Sequence, residues 1–338
     1  MSASSAATST TATPTTTDGA SSTTTLTASS SSSTALPTTQ PAAPPTTNRP
    51  VSLTIGTAEA VAATSRGVLI DDGSNTWDTV VFDDSSPRGL ALLVDDRIVY
   101  QPATSTDIAR PVDGFVIISD EGPESLYGED DRRVTVFDVG HVDGRAVILA
   151  QSAVDRPANP DEAASELVLI DVLSLERTVL REAGGFESGY TDARFGAGAI
   201  SAIFSVNAAN SLEILELGGT VRHEIELPAD TNLSLLDFDE SVWLLEPDFV
   251  GDNFDPVLRT LQFDLDTADV RQADLPLISV AGLSIDTGFC DVADFLDDQI
   301  VCDRSQGSPI LIDVDIDGAS TSEVPFITFG TVRFRASQ

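Results

Sequence analysis

Aspartate is the one chemically capable residue this chain holds in quantity. FDLDTADV (Phe263–Val270) packs three aspartates into eight residues, and DVDIDG (Asp313–Gly318) copies the start of an EF-hand calcium loop. Such a loop needs a bidentate glutamate at its twelfth position, which here is Val324. Val314 and Ile316 instead continue a strand whose aspartates share one face. A better calcium candidate is EPDFVGDNFDPV (Glu246–Val257), where Asp248, Asp252, Asn253 and Asp255 offer hard oxygen ligands around a Gly and two Pro. The same residues also read as an acidic surface loop shaped by Asx-turns. Calcium is the one cofactor the sequence suggests.

Nucleophilic and redox chemistry find little material. There are two histidines, His141 and His223; HEIEL (His223–Leu227) lacks the second histidine of a zinc-protease helix and reads as a strand. A Gly-x-Ser-x-Gly elbow and a Walker A loop are absent, and GAGAIS (Gly196–Ser201) reads as a hairpin turn. Cys290 and Cys302 fall on the two strands of one predicted hairpin, where a five-residue turn sets them opposite each other for a disulfide; two reduced, buried thiols are the other reading. Asp192, Asp237 and Asp286, spaced 45 and 49 residues apart, could converge as general acid and base for glycoside hydrolysis. Structural aspartates repeated with the fold are the competing reading. Two tryptophans and three tyrosines are thin material for stacking sugars.

The elements that must position these residues are hairpins. GVLIDDGSNTWDTVVF, GFVIISDEGPES, LVLIDVLSLERTVL, LEILELGGTVRHEIEL, LQFDLDTADVRQADL and ILIDVDIDGASTSEV each run apolar, turn at Asp, Gly or Ser, and mostly resume extended. Asp71, Ser119, Asp171, Glu216, Asp264 and Asp313 are equivalent positions, 45 to 52 residues apart. A second hairpin series interleaves with these: LALLVDDRIVYQ, FDVGHVDGRAVILAQ, ARFGAGAISAIFSV, LLDFDESVWLLE and FCDVADFLDDQIVCD. Two hairpins per period make four strands, the blade of a β-propeller. The missing sixth copy is predicted from VSLTIG near the start and FITFGTVRFR at the end, closing the ring without an open edge. FDLDTADV is then a strand end and turn, its aspartates capping backbone N–H groups.

FDLDTADVRQADLP resembles the outer hairpin of six-bladed TolB-like and related bacterial propellers, in which an aspartate-containing turn recurs blade by blade. The resemblance covers residues 51–338 as period and turn chemistry and includes no diagnostic signature. The Trp-Asp pair of WD40 blades occurs once, at Trp77-Asp78, and does not recur. Propellers of this kind host binding, scaffolding and hydrolysis, so the resemblance implies fold and leaves activity open.

The composition divides the chain. Residues 1–48 are Ser, Thr, Ala or Pro with seven exceptions, and with so little to bury they are predicted to be a disordered linker. Residues 49–338 carry all 18 bases, every one arginine, and 53 of the 54 acids. So acidic a domain repels nucleic-acid phosphates and anionic lipid. No run approaches the length of a membrane span. A Ser/Thr/Pro stalk leading into a folded domain is typical of envelope proteins, so an extracellular or envelope location is expected, with a signal or lipid-anchoring segment upstream; a cytoplasmic protein with a disordered tail is the alternative.

The expectation is therefore an all-β, six-bladed propeller of four-stranded antiparallel blades over residues 49–338, and a monomer. Strands a to d of a blade run outward, and the b–c connections PATSTDIARPVDG, SAVDRPANPDEAASE and PDFVGDNFDPV are the long ones. They share one face with the d–a connections, where a protein or glycan ligand would meet Arg110, Arg156 and Asp248. NPDEAASE could add a helical turn there. Non-catalytic binding or scaffolding leads, and a glycan-directed hydrolase using Asp192, Asp237 and Asp286 is the alternative.

Overall fold

The computed structural model describes residues 53–335 apart from residues 65–66, 74–76, 82–88, 103–113, 130–131, 155–163, 185–187, 197, 207–208, 228–232, 239–240, 251–254, 265–268, 273–277, 280–289, 297–298, 305–309, 316–317 and 324–329. The chain divides into two units, Met1–Asn48 and Arg49–Gln338, and the described residues belong to the second.

Among the described residues the fold is nearly all β, and the strands pair into six antiparallel sheets. Sheet I holds β4 (Leu90–Val94), β5 (Arg97–Gln101), β6 (Gly114–Ser119) and β7 (Gly122–Gly128). Sheet II holds β8 (Arg132–Val142), β9 (Arg145–Val154), β10 (Ala164–Asp171) and β11 (Arg177–Gly184). Sheet III holds β12 (Ser188–Gly196), β13 (Ala199–Val206), β14 (Ala209–Glu216) and β15 (Val221–Glu226). In sheet IV, β16 (Ser234–Phe238), β17 (Ser241–Val250), β18 (Asp255–Asp264) and β19 (Asp269–Gln272) are joined by the two-residue β20 (Ile278–Ser279). Sheet V holds β21 (Cys290–Leu296), β22 (Gln299–Arg304), β23 (Ile310–Asp315) and β24 (Gly318–Glu323). Sheet VI takes β1 (Ala60–Thr64), β2 (Gly67–Asp71) and β3 (Asp78–Val81) from the start of the unit, and β25 (Gly330–Phe334) from its end.

These sheets stand in a propeller arrangement. The innermost strands β25, β4, β8, β12, β16 and β21 neighbour one another in that order, and β21 neighbours β25 again. Each sheet is therefore packed on both faces, which accounts for the burial patterns. Every residue of β1 is buried, as are four of the five in β4, whereas outer strands such as β15 alternate half-buried and exposed positions. The hydrophobic clusters lie between sheets: Leu92, Phe115, Val136 and Val168 between I and II, and Ile203, Leu212, Leu235 and Phe263 between III and IV. Phe263, first residue of the FDLDTADV stretch, is wholly buried in the second of these.

At three of the equivalent positions the side chain caps its turn, as the sequence suggests. Asp171 Oδ1 accepts from the N–H groups of Leu173 (3.0 Å) and Ser174 (2.8 Å). Asp71 Oδ2 accepts from Gly73 N–H at 3.2 Å, and Ser119 Oγ from Glu121 N–H at 3.2 Å. In FDLDTADV itself Asp264 pairs with Asp269 at the strand ends, and residues 265–268 lie outside the described residues.

The ring closes differently in detail. β25 lies within FITFGTVRFR, as expected, but its partner is Ala60–Thr64, with Ala60 opposite Phe334 and Thr64 opposite Gly330. Within VSLTIG the chain enters a 3-10 turn, Ile55–Thr57. Local bonds bend it there: Thr57 N–H and Oγ1–H both donate to the Thr54 carbonyl, at 3.1 and 3.0 Å. Small side chains then suit a strand held between two neighbouring strands and two neighbouring sheets.

Candidate functional site

The inner strands form the wall of the channel, and their free edge has no further strand to satisfy it, so its N–H groups need other acceptors. Side chains of the preceding sheet supply them. Gln101, ending β5, accepts from Val136 N–H at 2.9 Å and donates to the Val134 carbonyl at 2.6 Å. Gln151 on β9 repeats the contact one sheet on, accepting from Tyr190 N–H.

The inner strands of sheets II, III and IV each carry a bulge, between Val136 and Asp138, Tyr190 and Asp192, and Leu235 and Asp237. An aspartate directly follows each one. Asp138 Oδ2 accepts from Phe195 N–H of sheet III at 2.8 Å, and Asp192 Oδ2 from Leu235 N–H of sheet IV at 2.7 Å. Phe195 packs so close to β8 that a Cβ at Gly140 would come within 2.7 Å of its ring. In β21 the residue after the bulge is Val292. Among the described residues the recurring series is Asp138, Asp192 and Asp237; it shares Asp192 and Asp237 with the expected set, whose third member, Asp286, lies outside the described residues. Sequence spacing missed Asp138 because it lies 54 residues before Asp192, a longer step than the 45 and 49 residues of the expected set.

Asp192 sits in a charged setting inside the ring. Burial pushes its carboxyl above the ordinary aspartate range, against the opposing pull of Arg194, the N–H groups of Leu235 and Ala193, and Arg333. Arg333 comes from β25, three places round the ring from β12, and only 2% of it is exposed. Its Nη1 donates to the Val332 carbonyl at 2.6 Å. Such a carboxyl can hold a proton, as a general acid must, but one of its oxygens already bonds the next sheet.

A second polar cluster lies between sheets I and II. Arg132 pairs with Glu129 (3.4 Å) and Glu166, and Arg177 with Glu129 (3.1 Å) and Glu166. Ser152 Oγ donates to Glu129 at 2.6 Å and accepts from Arg132 Nε at 2.7 Å, while Tyr127 Oη donates to Glu129 at 2.6 Å. Two guanidinium groups facing two carboxylates balance their charge internally. Between sheets II and III the buried Glu213 accepts from Tyr190 Oη (3.1 Å) and Arg181 Nη2 (3.2 Å). Among the described residues no group of three or more His, Cys, Asp or Glu could hold a metal ion.

The other expected sites fare as follows. Asp248 and Asp255 are on strands, opposite Val257 and Val250 in a regular β17–β18 ladder, and not on the irregular loop expected for calcium. Asp252 and Asn253 lie outside the described residues, as do Arg110 and Arg156. Cys290 is opposite Arg304 and Cys302 opposite Ala293, because Leu296 pairs with Gln299 and leaves two residues between the strands where five were expected. His141 and His223 lie on β8 and β15, and His141 Nε2 bonds Asp95 at 2.9 Å. Glu166 and its two predecessors in NPDEAASE belong to β10 rather than to a helix. Among the described residues no helix is long and apolar enough to cross a membrane.

No protein-family model matches the sequence, and no curated protein does. Among solved structures, the chain is similar to an oligogalacturonate lyase in complex with manganese (TM-score 0.46, 9% identity, 76% of this chain and 70% of that one). TolB from Acinetobacter baumannii gives a TM-score of 0.44 at 12% identity, over 82% of this chain and 66% of that one. The β-propeller domain of the Trilobed protease from Pyrococcus furiosus gives 0.41 at 12%, over 69% and 82%. At such values the fold rests on its strand pairing and not on these likenesses.

Proposed function

We propose that this chain is a non-catalytic binding or scaffolding protein of the bacterial cell envelope, its six sheets serving as the blades of one ring. It is displayed outside the membrane on the residue 1–48 linker and takes a protein or glycan partner on the face of the b–c and d–a connections, with Arg110, Arg156 and Asp248 as its contacts. The observation that carries this reading is the use of the inner-strand carboxylates. Asp138 and Asp192 each bond a backbone N–H of the following sheet, the role of structural residues. Calcium held by Asp248, Asp252, Asn253 and Asp255 would stiffen that face.

A glycan-directed hydrolase has one observation in its favour, the burial that raises the Asp192 carboxyl pKa. One experiment separates the two readings. The full chain and its Asp192→Asn variant are incubated with a panel of envelope glycans, followed by reducing-end release, and melted with glycan, calcium or EDTA. Binding predicts no turnover by either protein, with a glycan or calcium at about 100 times its dissociation constant stabilising both by roughly 2.7 kcal/mol. Turnover by the parent that Asp192→Asn abolishes would replace this reading with the hydrolase.

A further inference from the structure

Both ends of the folded unit leave through one face. β1 begins at Ala60 opposite Phe334, the last residue of β25, so the segment before Ala60 and the residue after Phe334 emerge side by side on the face of the a–b and c–d turns. Tension between the two ends would peel this antiparallel ladder one pair at a time, starting from Ala60 and Phe334. The same tension directed along the strands would load all five pairs together. A ring closed by one terminal strand is weakest in the peeling direction.

Arg335 occupies that first position. Its guanidinium donates to three carbonyls: Ala58 through Nε at 2.7 Å, Asp95 through Nη1 at 2.8 Å and Ile55 through Nη2 at 2.7 Å. Its backbone N–H donates to Glu59 at 2.7 Å. One residue from the end of the unit thus grips both the N-terminal lead-in and the β4–β5 turn of sheet I. The lead-in is fixed from the other side as well: Ile55 N–H donates to Asp120 Oδ1 in the β6–β7 turn at 3.0 Å. Leu53, Ile55 and Ala58 are buried in the cluster between sheets VI and I.

We propose that the Leu53–Glu59 lead-in and Arg335 form a clasp, which locks the ring closure against peeling when the N-terminal segment is pulled. The planar fork of arginine suits the task, since three carbonyls in different directions can be met at once. The source of the load rests on the tether reading above; the lock does not, and it is tested by local opening alone.

The test is native-state hydrogen exchange on the full chain, comparing parent, Arg335→Gln and Arg335→Lys. Amides of Val61–Ala63 and Thr331–Arg333 report the closing ladder, and those of Ile148–Ala150 in β9 serve as reference. Both variants should exchange about tenfold faster or more in the closing ladder, with the reference unchanged. Pulled from its two ends, the chain should open at lower force in both variants. Parent-like exchange in Arg335→Gln, parent-like exchange in Arg335→Lys, or an equal rise in the reference amides would each overturn the clasp. Should the Arg335 variants fail to accumulate, Asp120→Ala removes the other anchor of Ile55. It must speed exchange in the same amides and spare the reference, or the proposal fails.

Discussion

A carboxylate buried between sheets leaves a mark on stability that its neighbours do not. Because the Asp192 pKa is raised on folding, the folded chain binds the proton more tightly than the unfolded one. Stability from this group is present below the unfolded value of about 3.9 and declines as pH rises toward the folded value. Asparagine keeps an acceptor for Leu235 N–H and does not titrate. Urea unfolding at pH 4 and at pH 7.5 should therefore show a smaller loss of stability in Asp192→Asn than in the parent; identical losses would contradict the burial. At this scale the sequence was half legible. Asp71, Ser119 and Asp171 could be read as turn caps because they stand beside turn residues at a steady period. Asp138 could not, because its role arises from a bulge and from an N–H group 57 residues away.

At the scale of elements, consecutive sheets are joined by hydrophobic clusters and by side chains that reach forward to the next inner strand. Gln101 meets both a donor and an acceptor of β8, so Gln101→Ala strands Val136 N–H at a half-buried edge. A loss of about 1–3 kcal/mol is expected, measured by urea denaturation, and a loss below about 0.5 kcal/mol would show that water replaces the glutamine. The hairpins themselves were legible because apolar runs and Asp/Gly turns recur in a strict order. The closing strand was placed too early for a physical reason. VSLTIG has the β-branched composition of a strand, whereas AVAAT does not, and propensity is overridden where packing on both faces favours small side chains. Cys290 and Cys302 show the same limit, since two residues rather than the expected five between β21 and β22 changed which residues are opposite each other.

At the scale of the whole molecule, charge and closure dominate. With a net charge of −36, self-repulsion opposes the compact ring and is weakened by salt. Raising ionic strength from about 10 mM to about 150 mM shortens the screening length from roughly 30 Å to 8 Å. The melting temperature should rise over that range, and a flat response would mean that local ion pairs such as those around Glu129 already balance the field. Period and turn chemistry foretold the ring, but not the contact that Arg335 makes with residues 240 to 280 positions earlier. The side-by-side ends also have a consequence for how such a chain can be rearranged. Ala60 and Phe334 are already partners, so a short peptide joining the two ends and a cut in another turn would give a circular permutant that traces the same ring. Where the chain enters and leaves the circle would then decide which seam depends on non-covalent bonds, and the clasp marks that seam.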